Sequence, residues 1–185
     1  MKKKIYVLAV FMMIATYSFA QFELKFEPIS LIFGQIPLSA EYVITEHIGI
    51  EATVGYSFGK DKNYSSSTSS SGLVICGLAK YYFKPEKGGD KFYVFPYIRN
   101  VNRTFNFIEN NTEYKATYKA FGAGFGFGYK IVAESGLLFD IGLGVGRNFS
   151  GGYTYNDPNY TSAEDFFIPI NFLGRISVGY RFGGK

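Results

Sequence analysis

The chain contains no tryptophan, one cysteine (Cys76) and one histidine (His47) in 185 residues. A single cysteine rules out an intramolecular disulfide, and with one histidine it makes no metal-ligand cluster. Strong charge is also missing. The 19 Lys+Arg against 15 Asp+Glu give a formal +4, but Lys2, Lys3 and Lys4 open the chain. An apolar run over 5–16 follows, and then Ser18-Phe19-Ala20 places small residues at −3 and −1 of a cut. This pattern reads as a secretory signal peptide over residues 1–20. The run is short of the about twenty residues a spanning helix needs, so cleavage before Gln21 is expected rather than a retained anchor. No cysteine lies near the cut to carry a lipid. Cleavage leaves 16 basic against 15 acidic residues, a net charge of +1. No basic footprint for nucleic acid remains.

Aromatics and glycine are abundant: 16 Tyr, 20 Phe and 22 Gly. Neither class favours helices, and both fit strands and turns. The dominant pattern is period two, which predicts strands with one apolar face. Eight segments carry it: 22–33, 37–44, 48–58, 72–84, 92–103, 119–131, 136–149 and 165–182. In 22–33 the residues sharing a face are Leu24, Phe26, Pro28, Ser30 and Ile32. In 136–149, Leu137, Phe139, Ile141, Leu143 and Val145 oppose Asp140, Gly142, Gly144, Gly146 and Asn148.

The connections alternate in length. Links at 45–47, 85–91 and 132–135 are short; 60–71, 104–116 and 150–164 are long and polar, while 34–37 departs from the pattern by being short. Alternating segments of about ten residues with short turns on one side and long loops on the other are the signature of a transmembrane β-barrel. Each segment suffices for a tilted spanning strand, and closure leaves no edge for the bilayer to meet. The two faces settle which side points out. One holds large apolar residues in every strand; the other holds glycines and the full charges Glu41, Glu51, Lys80, Arg99, Asp140, Arg175 and Arg181. An eight-stranded barrel has room inside only for side chains, so the large face belongs outside, against lipid. The expected fold is all-β: an eight-stranded antiparallel up-and-down transmembrane barrel over residues 21–185. A soluble lipocalin-like barrel or sandwich would have to bury the bulky face instead.

The last segment is the most specific. "GRISVGYRF" ends in an aromatic and carries Ile176, Val178, Tyr180 and Phe182 at every second place. It resembles the C-terminal signal by which outer-membrane barrels are read by the barrel-assembly machinery, although "GGK" follows Phe182 here. The mature start, "FEPISLIFGQIPLSAEYVITEHIGIEATVGYSFG", with its acidic Glu41, resembles a family of small outer-membrane barrels of unknown function common in Bacteroidota, of the OmpA/OmpX-like type. The resemblance implies Sec-dependent export, location in the cell outer membrane, and outer-membrane lipid and lipopolysaccharide as surroundings. It carries no reaction.

Several constellations invite a chemical reading. Gly122, Gly124, Gly126 and Gly128 sit in "KAFGAGFGFGYKI". A dinucleotide fingerprint needs G-x-G-x-x-G between strand and helix; this run is strictly G-x-G-x-G-x-G with no helix after it. Glycine facing the lumen and aromatics facing lipid is the expected arrangement. Pairing the second and third strands about Glu46 sets Glu41 opposite Glu51. Facing carboxylates raise each other's pKa unless a cation intervenes, so an arginine-rich network plugging the lumen is expected. His47 falls in a short turn, the wrong end for lipid hydrolysis at the outer leaflet, so no catalytic residue, metal or cofactor is expected. Lys119 and Arg147 fall on the lipid-facing parity near the long-loop ends, where charge costs about 0–1 kcal/mol. They snorkel to water or touch lipopolysaccharide head groups. Tyr56, Phe58, Tyr81, Phe83, Phe92, Tyr129, Tyr180 and Phe182 read as interfacial girdles. The expected protein is a monomeric structural or surface-interaction barrel; the alternatives are a small porin-like channel and a lipid-modifying enzyme.

Overall fold

The computed structural model describes residues 21–61, 68–109, 112–156 and 169–183. The signal-peptide segment 1–20, the crowns of the three long connections and the first residues of the predicted eighth segment lie outside the described residues.

Eight strands form one closed antiparallel barrel in which each pairs with its sequence neighbours and the last with the first. They are β1 (Gln21–Phe26), β2 (Gln35–Thr45), β3 (Ile48–Asp61), β4 (Thr68–Tyr82), β5 (Lys91–Glu109), β6 (Thr112–Val132), β7 (Leu137–Tyr155) and β8 (Ile170–Phe182). The alternating pattern is realised as drawn. Large apolar side chains such as Ile50, Val54, Phe125, Leu143 and Phe172 stand on the outer face. Glu23, Lys25, Glu41, Glu51, Lys80, Lys130 and Asp140 are fully enclosed. This polarity is the reverse of a soluble barrel. The expected aromatic girdles lie on the same outer face, and at the short-turn end they touch: Tyr180 and Phe182 rings are 4.9 Å apart, Tyr81 and Phe83 5.3 Å, Phe83 and Phe92 5.6 Å.

The turns have local causes. Gly88 and Gly89 take positive φ (73° and 57°), and Asp90 Oδ1 accepts from the Glu86 and Lys87 amides at 2.8 and 2.9 Å. Gly136, at φ 89°, closes the β6–β7 turn. The β4–β5 ladder skips Pro96: pairing runs to Leu78–Tyr97 and resumes at Tyr81–Val94. Proline has no N–H to give the ladder.

Three expectations are corrected. The segment 22–33 is not one strand. β1 stops at Phe26, and Pro28–Phe33 form a 3-10 helix ending at Gly34 in the left-handed region. Pro28 explains the stop, since it holds the preceding residue extended but cannot donate onward to a neighbouring strand. The connection at 104–116 is strand over 104–109 and 112–116, and the one at 150–164 begins as strand as far as Tyr155: β5, β6 and β7 span 19, 21 and 19 residues, about twice what crossing a bilayer requires. The third correction concerns the lumen, which is not simply polar and glycine-lined.

Candidate functional site

The inward residues of the eight strands sort into three zones along the barrel axis. At the short-turn end lies a charge cluster. β1 places Glu23 and Lys25, β2 Glu41, β3 Glu51, β4 Lys80, β6 Lys130, β7 Asp140, and β8 Arg175 and Arg181. Glu41 stands directly opposite Glu51 in the β2–β3 ladder, as the sequence implied, and two lysines from elsewhere intervene. Lys25 Nζ lies 2.5 Å from Glu41 Oε2 and 2.9 Å from Asp140 Oδ2, and also bonds Glu51. Lys80 Nζ lies 2.9 Å from Glu41, 2.7 Å from Glu51 and 2.8 Å from Asp140. Lys130 Nζ joins Glu23 at 2.9 Å and Glu41 at 3.1 Å. Arg175 pairs with Glu51, and Arg181 with Glu23 at 2.5 Å. Two tyrosines complete the shell: Tyr82 donates to Glu41 Oε1 at 2.6 Å and Tyr93 to Asp140 Oδ1 at 2.5 Å.

Glu41, Glu51 and Asp140 bring one oxygen each within 4.8 Å of one another, a spacing a cation would suit. The cations at this site are the ammonium groups of Lys25 and Lys80. With the buried Glu27 above them, five carboxylates of the cluster face five cations, so the cluster itself is neutral, while the buried Asp90 carboxylate is spent on the amides of the β4–β5 turn. The large desolvation cost of each buried ion is offset only when partners and hydrogen bonds are complete, and here nearly every oxygen of the cluster is engaged. Arg181 also seals the short-turn mouth. It donates from Nη1 to the Lys87 and Gly88 carbonyls at 3.0 and 2.7 Å and from Nη2 to Gly89 at 3.0 Å. The β4–β5 turn is thereby drawn over the opening.

Above the cluster is an aromatic stack. Tyr82, Tyr93, Phe95 and Tyr97 follow one another with ring centroids 5.2, 5.7 and 6.2 Å apart, all fully or nearly fully buried. This stack explains the glycine run. A Cβ on Gly126 would collide with Phe95 Cζ, and one on Gly128 with the Tyr93 ring and hydroxyl. The β6 glycines leave room for rings projecting from β5, so the lumen beside them is filled with aromatic carbon. The lysines use the rings as well: Lys80 Nζ sits 4.5 Å from the Tyr93 centroid and Lys130 Nζ 4.7 Å from that of Tyr82, cation–π geometry.

The third zone is the long-loop mouth, a cavity of 270 Å³ whose lining includes Arg99, Arg103, Tyr118, Asn148 and Asn171. Arg99 belongs here, which corrects its expected place in the charge network. It is half-buried and makes no ion pair among the described residues. Its Nη1 instead donates to the Phe172 carbonyl at 2.9 Å.

Of the expected network, Glu41, Glu51, Lys80, Asp140, Arg175 and Arg181 are brought together. The centre is built on lysines rather than arginines, which is a further correction. Glu23, Lys25 and Lys130 were missed. Their signal was present: Glu23 and Lys25 alternate with Phe22, Leu24 and Phe26, and Lys130 shares the parity of Gly122–Gly128. Lys119 and Arg147 are on the outer face. They are not neighbours: Arg147 pairs with Ala123, four residues along β6 from Lys119, about 13 Å at strand rise. Ile176, Val178, Tyr180 and Phe182 share the outer face of β8, with Phe182 paired to Phe22. His47 Nδ1 contacts the Tyr82 carbonyl at 2.7 Å in the β2–β3 turn.

No protein-family model matches this chain. No curated protein matches it either. Among solved structures it is similar to the crystal structure of a major outer membrane protein from Thermus thermophilus. The TM-score is 0.55 at 16% identity, covering 88% of this chain and 99% of the other. At that identity the likeness establishes the barrel fold.

Proposed function

We propose that the protein is an integral outer-membrane β-barrel, exported by the Sec route and assembled with β8 as its recognition strand, whose role is structural or at the cell surface. The carrying observation is the inverted polarity. A continuous outer face of Ile, Val, Leu, Phe and Tyr surrounds a core of paired ions, a distribution that is stable only if the outer face meets hydrocarbon. The solved neighbour is itself an outer membrane protein, which supports the same location.

The filled lumen argues for a wall rather than a conduit. The Lys25–Glu41–Lys80–Asp140 cluster, the aromatic stack above it and the Arg181 seal below it block the axis in succession. An enzyme is not proposed, because His47 lies in a turn against a backbone carbonyl. The long β5–β7 hairpins project tyrosines such as Tyr118 and Tyr153, whose rings lie 4.9 Å apart, at the far end, where a surface role would reside.

The test has two parts. The outer-membrane fraction should retain the protein through sodium-carbonate extraction, with heat-modifiable mobility on SDS gels. Carbonate-extractable protein with no shift would refute the membrane reading. In planar bilayers the purified barrel should show no steady ohmic conductance; large stable channels would refute the plug.

A further inference from the structure

The barrel wall is incomplete on one side. β1 pairs with β8 only from Phe22–Phe182 to Phe26–Val178. From Ile170 to Ser177, β8 has β7 on one flank and no β1 on the other. The space that β1 would fill is taken by the 3-10 helix, whose following Gly34 carbonyl accepts from the Phe58 amide at 2.7 Å on β3 rather than pairing with β8. A cavity of 350 Å³ passes through this gap, within the range of small-ligand sites.

Its two ends differ in chemistry. The outer end is apolar, with Phe33 72% exposed and Leu143 and Phe172 also on the outer face. The inner end holds Glu27, Arg99 and Arg175. Arg175 is committed to Glu51, and Glu27 accepts from Ser30 Oγ at 3.3 Å. Arg99 is different. One nitrogen caps the Phe172 carbonyl on the unpaired stretch of β8, and no carboxylate faces the guanidinium among the described residues; its Nε lacks a hydrogen-bond partner, as does that of Arg175, but Arg175 has Glu51 as its counter-charge. Arg99 is half-buried, and a cation held beside apolar surface with no counter-charge is unfavourable to the extent that it is desolvated. The molecule that satisfies both ends is an amphiphile with an anionic head and an alkyl chain.

We propose that the β1–β8 gap is a lateral binding cleft for a single-chain anionic amphiphile, a long-chain carboxylate. It docks from the lipid phase with its head on Arg99 and its chain along Leu143 and Phe172. The carboxylate accepts from the guanidinium nitrogens that the Phe172 carbonyl does not use, a charge-assisted contact. A single chain suits the cavity's size. The proposal rests on the membrane reading above, and its test separates the two.

The mature protein in lipid nanodiscs is photolabelled with a palmitate carrying a diazirine near the carboxylate, and adducts are mapped by mass spectrometry. Label is expected on cleft residues such as Ser30 and Leu173 and on outer-face residues generally. In Arg99→Gln the cleft label falls about tenfold, the factor that about 1.4 kcal/mol of lost binding gives, while outer-face label is unchanged. Arg99→Lys keeps most of it. The hexadecanol analogue, which lacks the charge, labels the outer face but not the cleft. Cleft label equal for acid and alcohol, unaffected by Arg99→Gln, or absent while the outer face is labelled, overturns the proposal. Absence of label on the outer face as well overturns the membrane reading and the cleft with it.

Discussion

Lys25→Met is the most informative perturbation of the charge cluster. The Lys25 ammonium lies among Glu41, Glu51 and Asp140 and is fully enclosed. Removing it leaves Lys80 as the one ammonium shared by all three carboxylates, and the cluster one negative charge in excess. Breaking a buried pair by deleting one partner costs about 3–5 kcal/mol, because the remaining charge keeps its desolvation penalty. For a slope of about 2–3 kcal/mol per molar urea, the unfolding midpoint in detergent micelles, followed by the heat-modifiable band, should fall by about 1–2.5 M. The double variant Lys25→Met/Asp140→Asn restores the charge balance of the cluster without stripping Arg175 of Glu51, and contacting residues couple by about 0.5–3 kcal/mol. It should therefore be more stable than the single variant. Buried pairs are little screened, so the deficit should persist at high salt. A single variant within about 0.3 M of wild type in midpoint, or a double variant no better than the single, refutes the idea that paired charge holds this interior together.

Other outcomes follow from the same geometry. Gly128→Ala should cost about 1–3 kcal/mol by overpacking against Tyr93, whereas Gly152→Ala, with open space around its Cβ position, should be silent in the same urea assay. If a Tyr93→Ala/Phe95→Ala variant folds, the space left by the two rings should raise bilayer conductance above the wild-type baseline; an unchanged baseline would locate the block in the charge cluster alone. A Lys119→Ala/Arg147→Ala variant should associate less with lipopolysaccharide, and equal association with an unaltered mobility shift removes the head-group contact. Cys76, 4% exposed among Leu78 and Tyr97, should resist maleimide until the barrel is unfolded; rapid labelling of folded protein would contradict the closed interior.

How much was legible in advance depends on distance along the chain. The sides of Glu41, Glu51, Lys80 and Asp140 follow from parity, because the pleat sends successive side chains to opposite faces. The pairing of Glu41 with Glu51 followed from a short turn. Arg99 shows where this stops: its parity is correct, yet its height on β5 carries it past the aromatic stack to Phe172. The extensions of β5–β7 are hard to read in the sequence because polar residues such as Thr104 and Lys115 resemble loop.

The sequence alone determined the strand count, the antiparallel order and the face each side chain takes, since these depend on a two-residue period and on short turns. The tertiary structure decided which inward groups meet. Lys25 reaches Asp140 across 115 residues and Lys130 reaches Glu23 across 107, contacts set by strand stagger around the closed ring. It also decided what the glycines of β6 are for. Their bareness matters only because Tyr93 and Phe95 arrive from the neighbouring strand. And it decided that the wall is broken beside β8, because a strand that ends at Phe26 leaves a gap visible only when its partner stands next to it.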